Sequence, residues 1–560
     1  MHVGAFNLCE LPTGFKGSFH QAVTQHIAKR LHLAPVFSRK LVFMPLDLGH
    51  PLWVEADAVD ISFHIRRADD AKKGTVPMTL AEAHKLCAEL HAELIDRNFP
   101  LWEFHVFDRI QLPKSQGGKI VAGFFSKIHH AALDGKGGVM LANAMLDISP
   151  VPRDVAPPDP ARRRKLASDL KLGKMIGSVF SSSLGQIIKA AKTLPLAASA
   201  LSSTLGSTLA RQSLKPGAGT QPKMPMRLAP RTPFNAGITS DRVFVTATVP
   251  LAECKAMGKA VGGSFNDIVL WLCSTALRSY LLQHHSLPKK SLVAAMPVSL
   301  RPSDNTGDTT HLGNQVSMSL VELGTHLANP LKRMNAILTS TGKVKTSMQS
   351  LKGLLPTDYP SLLAPWLVGG AAKMAFSAYG TSGIASRLPM VANLVISNVP
   401  GPPVPLYLAG ARFLSFHPLS IVVHGLALNI TIQTYAGRVD FGIVADQQAL
   451  PHAQDLAQAI EAAFAEAQTL VVAAPKPAKA SQAGTRPAPV TPVTKSAAVK
   501  KASPAKTRER THTASERPNK TSSNAPSHGP SVVKTLKTVK SVKAKPETRS
   551  KTKAASTLAS

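Results

Sequence analysis

Hydrophobic positions along the chain switch between a two-residue period and one of roughly 3.6 residues. Ser18–His32 carries apolar residues near helical spacing and predicts an amphipathic helix. In Thr79–Leu94 the residues Leu80, Ala83, Leu86, Leu90 and Leu94 fall on one helical face. Phe37–Phe43, Trp53–Ile65, Phe104–Phe107 and Lys119–Ser126 predict strands, the last of them buried, and Val139–Leu146 opens an apolar helix. Farther on, Arg242–Val249 alternates and is rich in Val and Thr, so it predicts a strand, and Pro250 stands where a helix can begin. Leu251–Val261 and Phe265–Leu282 predict helices. Ser291–Leu300, Leu394–Ser397, Ser420–Val423, Leu426–Thr434 and Arg438–Asp446 predict strands, and Asp455–Val472 predicts an alanine-rich helix. Helices alternate with strands, which makes the class α/β.

Two stretches break this pattern. Pro150–Pro160 is a proline-rich connection, and from Leu170 to Ser240 there are nine basic residues and no acidic one. Met175, Ile176, Val179, Phe180, Leu184, Ile187 and Ile188 give this stretch the spacing of a basic amphipathic helix. Such a helix either lies on an anionic lipid surface or packs between domains with a solvated basic face. After about Ala473 the chain is Ala, Pro, Lys, Ser and Thr without aromatics, a composition too poor in apolar surface to offset chain entropy. The expected organisation is a folded half at 1–155, a basic linker at 156–230, a second folded half at 231–472, and a disordered tail at 473–560.

Charge sharpens this division. The 560 residues carry a formal +32, and Val471–Ser560 alone holds 19 Lys/Arg against 3 Asp/Glu. A tail of that kind attracts polyanions such as nucleic acid, or an anionic membrane, through counterion release; otherwise it is simply solvated. Cys9, Cys87, Cys254 and Cys273 lack CxxC spacing, which argues against a disulfide framework or a zinc site and fits a reducing cytosol. The first residues do not read as a signal peptide, and no stretch reaches 18 uninterrupted apolar residues. The richest candidate, Ser361–Tyr379, contains Pro, two Gly and Lys373.

The candidate chemistry lies in Lys127-Ile128-His129-His130-Ala131-Ala132-Leu133-Asp134-Gly135-Lys136-Gly137-Gly138, between the Lys119–Ser126 strand and the Val139–Leu146 helix. Loops at strand ends carry reactive groups in α/β folds. Successive strand residues face opposite ways, so only one of the two histidines can serve a given site. A neutral imidazole, with an ordinary pKa of about 6.5, can take a proton from a hydroxyl near neutral pH. Asp134 stands close enough to brace the loop, and the glycines let the backbone turn and leave room beside the ring. The bland alternative is a packed pair of histidines beside an ordinary turn. His64 and His91 stand alone and read as packed or solvated residues.

His129-His130-x-x-x-Asp134-Gly135 resembles the HHxxxDG signature of CoA-dependent acyltransferases. Pro100-Leu101-Trp102, within Leu94–Glu103, resembles a motif of one such family, the bacterial wax ester synthase/diacylglycerol acyltransferases. Asn266-Asp267, Pro297–Arg301, Gly313-Asn314-Gln315 and Ser397–Pro402 follow in the family's order, so the resemblance spans roughly residues 1–465. Met1–Phe6 resembles a block that in the family is usually preceded by a further segment.

The resemblance implies two halves like chloramphenicol acetyltransferase, with mixed sheets flanked by helices, meeting along a channel with the histidine loop at its centre. It implies transfer of a fatty acyl group from acyl-CoA to diacylglycerol or a long-chain alcohol, with no metal and no cofactor beyond the acyl-CoA substrate. His130 then matches the catalytic base, His129 an orienting or packing residue, Asp134 the brace of the loop and Gly135 the turn. Asn266 is either an oxyanion donor or, with Asp267, a helix cap. Pro100, Leu101 and Trp102 form wall or core around the site. Asp440-Phe441-Gly442 resembles a structural motif of the same superfamily. The expected location is cytoplasmic and peripheral, on the inner face of the plasma membrane or on lipid inclusions, without a transmembrane span. The competing expectation is a non-catalytic protein that binds lipid inclusions and tethers them to nucleic acid through its tail.

Overall fold

The computed structural model describes residues 1–43, 51–68, 76–133, 135–157, 228–299, 316–351 and 390–473, and elements are numbered over these. The expected basic helix after Leu170, nearly all of the tail, Asp134, Arg301 and Gly313–Gln315 lie outside the described residues.

The N-terminal sheet is organised on β7 (Ile120–His129). It pairs antiparallel with β1 (His2–Glu10) on one edge and β6 (Trp102–Gln111) on the other. Ala122, Phe124 and Ile128 point into a core shared with α1 (Phe19–Ala28) and α4 (Gly135–Met145). Val121 and Phe125 point the other way, into a core shared with α3 (Leu80–Ala92). Burial on both faces is why this segment is a continuous apolar run. The short β4 (Ile65–Arg67) and β5 (Met78–Thr79) pair with β6 in parallel.

The second sheet has the order β10 (Val316–Glu322), β9 (Val293–Ser299), β11 (Leu394–Val399), β15 (Leu428–Tyr435), β16 (Arg438–Asp446), β8 (Arg242–Pro250). The pairings of β9 with β11 and of β11 with β15 are parallel and the others antiparallel, so this sheet is mixed. Residues of α5 (Leu251–Ala260), α6 (Phe265–Gln283), α7 (Pro330–Leu351) and α8 (Ala453–Ala473) share its core. The α/β class with mixed sheets and flanking helices is as expected. Among the described residues no single helix is long and apolar enough to cross a membrane.

The second half lends strands to the first. β12 (Tyr407–Leu408), β13 (Ala411–Phe413) and β14 (His417–Leu419) come late in the chain yet extend the N-terminal sheet. β13 and β14 both pair with β1, at Cys9↔Phe413 and Gly4↔Leu419. To get there, β14 passes directly over β16. A Cβ on Gly442 would lie 1.7 Å from the Pro418 carbonyl oxygen, so this position needs a hydrogen for a side chain. Beside it the buried Asp440 accepts the Phe416 N–H at 2.8 Å and the Thr248 hydroxyl at 2.8 Å. Asp440-Phe441-Gly442 is therefore the saddle on which the crossing segment rests.

Several expectations are corrected. β1 was not predicted; it is buried along most of its length, so it lacks the alternation that marks a half-exposed strand. Trp53–Ile65 is not one strand. β3 (Leu52–Glu55) pairs with β2 (Arg39–Val42), and Asp60 then caps the short α2 (Ile61–His64) through the Ser62 N–H at 2.9 Å. Ser420–Val423 makes only the isolated bridge Val423↔Leu426, and the strand there is β14 just before it. β10 and α7 were also not foreseen. In α3 the fully buried face is Ala83, Cys87, Ala88 and His91, while Leu94, expected on it, falls past the helix end and is 80% exposed. All four cysteines are buried and form no disulfide, and burial pushes the thiols of Cys254 and Cys273 up to about 12.

The crossing gives a paired test by urea denaturation. Gly442→Ala is expected to cost about 2 kcal/mol or more through overpacking. Gly342→Ala, on an exposed turn of α7 with open space at the added Cβ, should be neutral or stabilise by up to about 1 kcal/mol. Equal tolerance of both would contradict the saddle.

Candidate active site

β7 is tied on both edges up to its last residue. The His129 N–H donates to the Leu101 carbonyl at 3.0 Å, and His129 stands opposite His2 on β1. One residue on, the His130 N–H donates to the Met1 carbonyl at 3.1 Å, and the chain leaves the sheet in a single 3-10 turn, His130–Ala132. α4 then starts at Gly135. The two histidines thus differ in setting. The His129 ring is half-buried and its Nδ1 accepts the Ala131 N–H at 3.2 Å, so its hydrogen is on Nε2. Burial first, then the Met1 ammonium, Arg97 and His130, lower its pKa to about 4. The His130 ring is exposed and makes no hydrogen bond among the described residues. Neither of the two cavities described below is lined by it.

Pro100, Leu101 and Trp102 hold this strand end from the β6 side. Leu101 supplies the carbonyl that His129 donates to, and Trp102 is fully buried, donating Nε1–H to the Phe37 carbonyl at 3.1 Å. Its indole stacks on His64 at 4.2 Å, and the His64 Nδ1–H donates back to the Trp102 carbonyl at 2.7 Å. Asn266 and Asp267 sit at the start of α6 and make no hydrogen bond to either histidine among the described residues. Asp267 forms a capping box with Ser264, at 2.7 Å from the Ser264 N–H, and accepts the Thr341 hydroxyl at 2.8 Å. Asn266 Oδ1 accepts from Asn398 Nδ2 at 3.4 Å, which joins two sequence blocks 132 residues apart.

Two groups escaped the sequence reading. Lys127, fully buried, points to the same side of β7 as His129 and meets Glu103 directly across on β6, with Nζ 3.1 Å from Oε2. His105 Nε2 lies 3.6 Å from the same oxygen. Burial alone would raise the Glu103 pKa, but His105 and Lys127 hold it at about 2. Burial lowers that of Lys127. The only sequence sign was a Lys inside an apolar run. The second group is His2 and His91, which exchange bonds. His2 Nδ1–H donates to the His91 carbonyl at 3.3 Å, and His91 Nε2–H donates to the His2 carbonyl at 3.1 Å. The Ile95 N–H donates to His2 Nε2 at 3.3 Å, which closes the C-terminal end of α3 onto β1. No short motif marks this pair.

Two cavities lie on this side of the N-terminal sheet, where α3 faces β8. One of about 720 Å³ runs between α3, β8 and the start of α8. The other, of about 260 Å³, is lined by Met1, His2, His91, Arg242 and His424 among others. Among the described residues no group of three or more His, Cys, Asp or Glu is placed to hold a metal ion.

Residues 1–269 match the family model described as the wax ester synthase/diacylglycerol acyltransferase catalytic domain, and residues 312–468 match the WS/DGAT C-terminal domain. A putative diacylglycerol O-acyltransferase of Mycobacterium tuberculosis is 33% identical over 478 residues, covering 84% of this chain and 96% of its own. The O-acyltransferase WSD of Acinetobacter baylyi is 30% identical over 470 residues, covering 82% of this chain and 91% of its own. The solved wax ester synthase/diacylglycerol acyltransferase from Marinobacter aquaeolei VT8 shares the fold, with a TM-score of 0.56 at 24% identity over 84% of this chain and 95% of that one.

Burial makes several rings around β1 acid-sensitive. It lowers His2 to about 3 and His91 to about 4, each with smaller contributions from nearby positive charge, against an ordinary 6.5. The unfolded chain therefore binds more protons than the folded one between about pH 6.5 and 4, so the stability present above that window is lost as pH falls through it. Each such ring costs about 1.4 kcal/mol per pH unit there. The urea midpoint should accordingly drop clearly from pH 7.5 to pH 5; a flat midpoint would contradict neutral buried imidazoles.

Proposed function

Because the chain belongs to the wax ester synthase/diacylglycerol acyltransferase family and is an acyltransferase, we propose that it moves a fatty acyl group from acyl-CoA to the hydroxyl of diacylglycerol, of a long-chain alcohol, or of both, with His130 as general base. The observation that carries the assignment is the contrast between the histidines. His129 has its Nδ1 lone pair engaged by Ala131 and its Nε2 already protonated, so it has no site at which to accept a proton. His130 begins the turn one residue later with an exposed ring. The acid–base role falls to it, and His129 positions it.

The step balances with no cofactor beyond the acyl-CoA substrate. His130 removes the hydroxyl proton as the alcohol oxygen attacks the thioester carbonyl. The tetrahedral oxyanion collapses, the C–S bond breaks, and the departing thiolate takes the proton back from His130. Asp134 braces the loop, and Gly135 opens the helix that follows. A donor to the oxyanion is worth roughly 3–4 kcal/mol. Asp267 is committed to its cap and to Thr341, so Asn266 is the better candidate, with its Oδ1 toward Asn398 and its amide hydrogens for the substrate. Pro100, Leu101 and Trp102 act as the wall that holds the strand end.

The enzyme works on a cytoplasmic lipid surface, either the inner face of the plasma membrane or a lipid inclusion. The acid-free basic stretch around 170–240 and the 473–560 tail supply attraction to anionic headgroups, and the tail also to nucleic acid. Catalysis resides in the folded halves.

In steady-state assays with labelled acyl-CoA, His130→Ala should lose at least about 100-fold in turnover with an unchanged circular dichroism spectrum; near-normal turnover removes His130 as the base. Deleting residues 474–560 should leave turnover intact while weakening retention on anionic vesicles, and loss of turnover would mean that the tail belongs to the catalyst.

A further inference from the structure

We infer that the chain also hydrolyses long-chain acyl-CoA when no lipid alcohol is present, with His130 activating water in place of the acceptor hydroxyl. This rests on the acyltransferase reading above and adds a second reaction at the same base.

Exposure changes sharply along the histidine strand. Lys127 and Ile128 are buried, His129 is half-buried, and His130 and Ala131 are exposed. Past the turn, Val139 and Met140 of α4 are 60% and 47% exposed. The His130 N–H is fixed on the Met1 carbonyl at 3.1 Å, but its ring makes no hydrogen bond, ion pair or ring contact among the described residues. Neither cavity beside α3 is lined by it. Enzymes that spare a reactive acyl group from water do so by closing the site over it. Among the described residues nothing of that kind engages the His130 ring. Bulk water therefore has the same access to this imidazole as an acceptor hydroxyl, and it is present before any lipid arrives.

No neighbouring group can replace His130 in this step. The His129 Nδ1 lone pair is engaged by the Ala131 N–H. His2 and His91 are buried, each donating to the other's carbonyl. Glu103 is buried and held by Lys127 at 3.1 Å. A neutral imidazole has one nitrogen that accepts a proton. Water gives that nitrogen a proton as its oxygen attacks the thioester carbonyl. The tetrahedral oxyanion collapses, the C–S bond breaks, and the CoA thiolate takes the proton from His130. The products are CoA and a fatty acid, which ionises into bulk solvent. No oxidant, reductant or third substrate enters. Water and a lipid alcohol compete for one nitrogen, so supplying the alcohol suppresses hydrolysis.

The test uses the full chain with lauroyl-CoA as its sole organic substrate, in water enriched in heavy oxygen. Free CoA is followed with a thiol reagent, since the protein's own four cysteines are buried. Release should exceed the protein-free rate by at least about 100-fold, with one heavy oxygen in each laurate. His130→Ala, with an unchanged circular dichroism spectrum, should return release to the protein-free rate. Vesicles carrying dioleoylglycerol and hexadecanol should cut laurate formation several-fold while CoA release continues. Acylation of either acceptor, with CoA release at the protein-free rate when acceptors are omitted, means a turn closed to water; the inference then falls and the acyltransferase reading stands. Unchanged hydrolysis in His130→Ala, unlabelled laurate, or laurate formation that acceptors do not reduce also overturns it. If neither hydrolysis nor acylation occurs, both readings fall. Hydrolysis that needs His130 but is joined by no acylation keeps the inference and removes the transfer reading.

Discussion

The arrangement depends on a strand hydrogen-bonded on both sides to its very end. β7 is buried on both faces and clamped between β1 and β6, so its backbone has no freedom until it passes His129. Leu101 takes one N–H and Met1 the next. The position at which the chain turns out of the sheet is thus set by a ladder, and the two adjacent histidines are divided between the last strand residue and the first residue of the turn. Holding reactive groups on rigid elements is what keeps them in productive geometry.

Burial then gives the surrounding groups their character. Lys127 and Glu103 sit on the same side of the sheet as His129 and pay a desolvation cost that their mutual attraction offsets only with good geometry. Such a pair is weak evidence for stability, and its placement beside the strand end is the more informative fact. His2, His91 and His129 are all held neutral by burial, and among the described residues Lys127, Arg97, Arg242 and the Met1 ammonium bring positive charge to them. The second half takes part through β13 and β14, which pair with β1, the same strand that holds β7. The saddle at Asp440-Phe441-Gly442 therefore supports the histidine strand at one remove.

Legibility followed local pattern. The strand and the helix around His129 and His130 could be read from two apolar runs, but the strand continues past Ser126 to His129, and the glycine cluster read as a turn lies in the first turn of α4. α5, α6, β15 and β16 were legible for similar reasons, with Pro250 marking one helix start and Asn266-Asp267 lying just after the Ser264 cap of the other. β1 was not, since a strand buried on both faces has no alternation to detect. The burying face of α3 was misplaced by about one turn at its end, because the partner that decides the face, β8, lies some 150 residues away. The His2–His91 exchange, the Lys127–Glu103 pair and the Asn266–Asn398 contact are long-range pairings that a single sequence does not display. Asn266 looked equally suited to donating to an oxyanion and, with Asp267, to capping; the bonds of Asp267 to Ser264 and Thr341 show that Asp267 braces the start of α6, whose cap is Ser264.

The central claim is that the imidazole just beyond the ladder, and not the one on it, receives the hydroxyl proton. It is tested most directly by a structure of the chain with CoA and a long-chain alcohol bound. The account predicts the alcohol oxygen within about 3 Å of a His130 ring nitrogen. An alcohol oxygen seated against His129, or beyond reach of both rings, would contradict it.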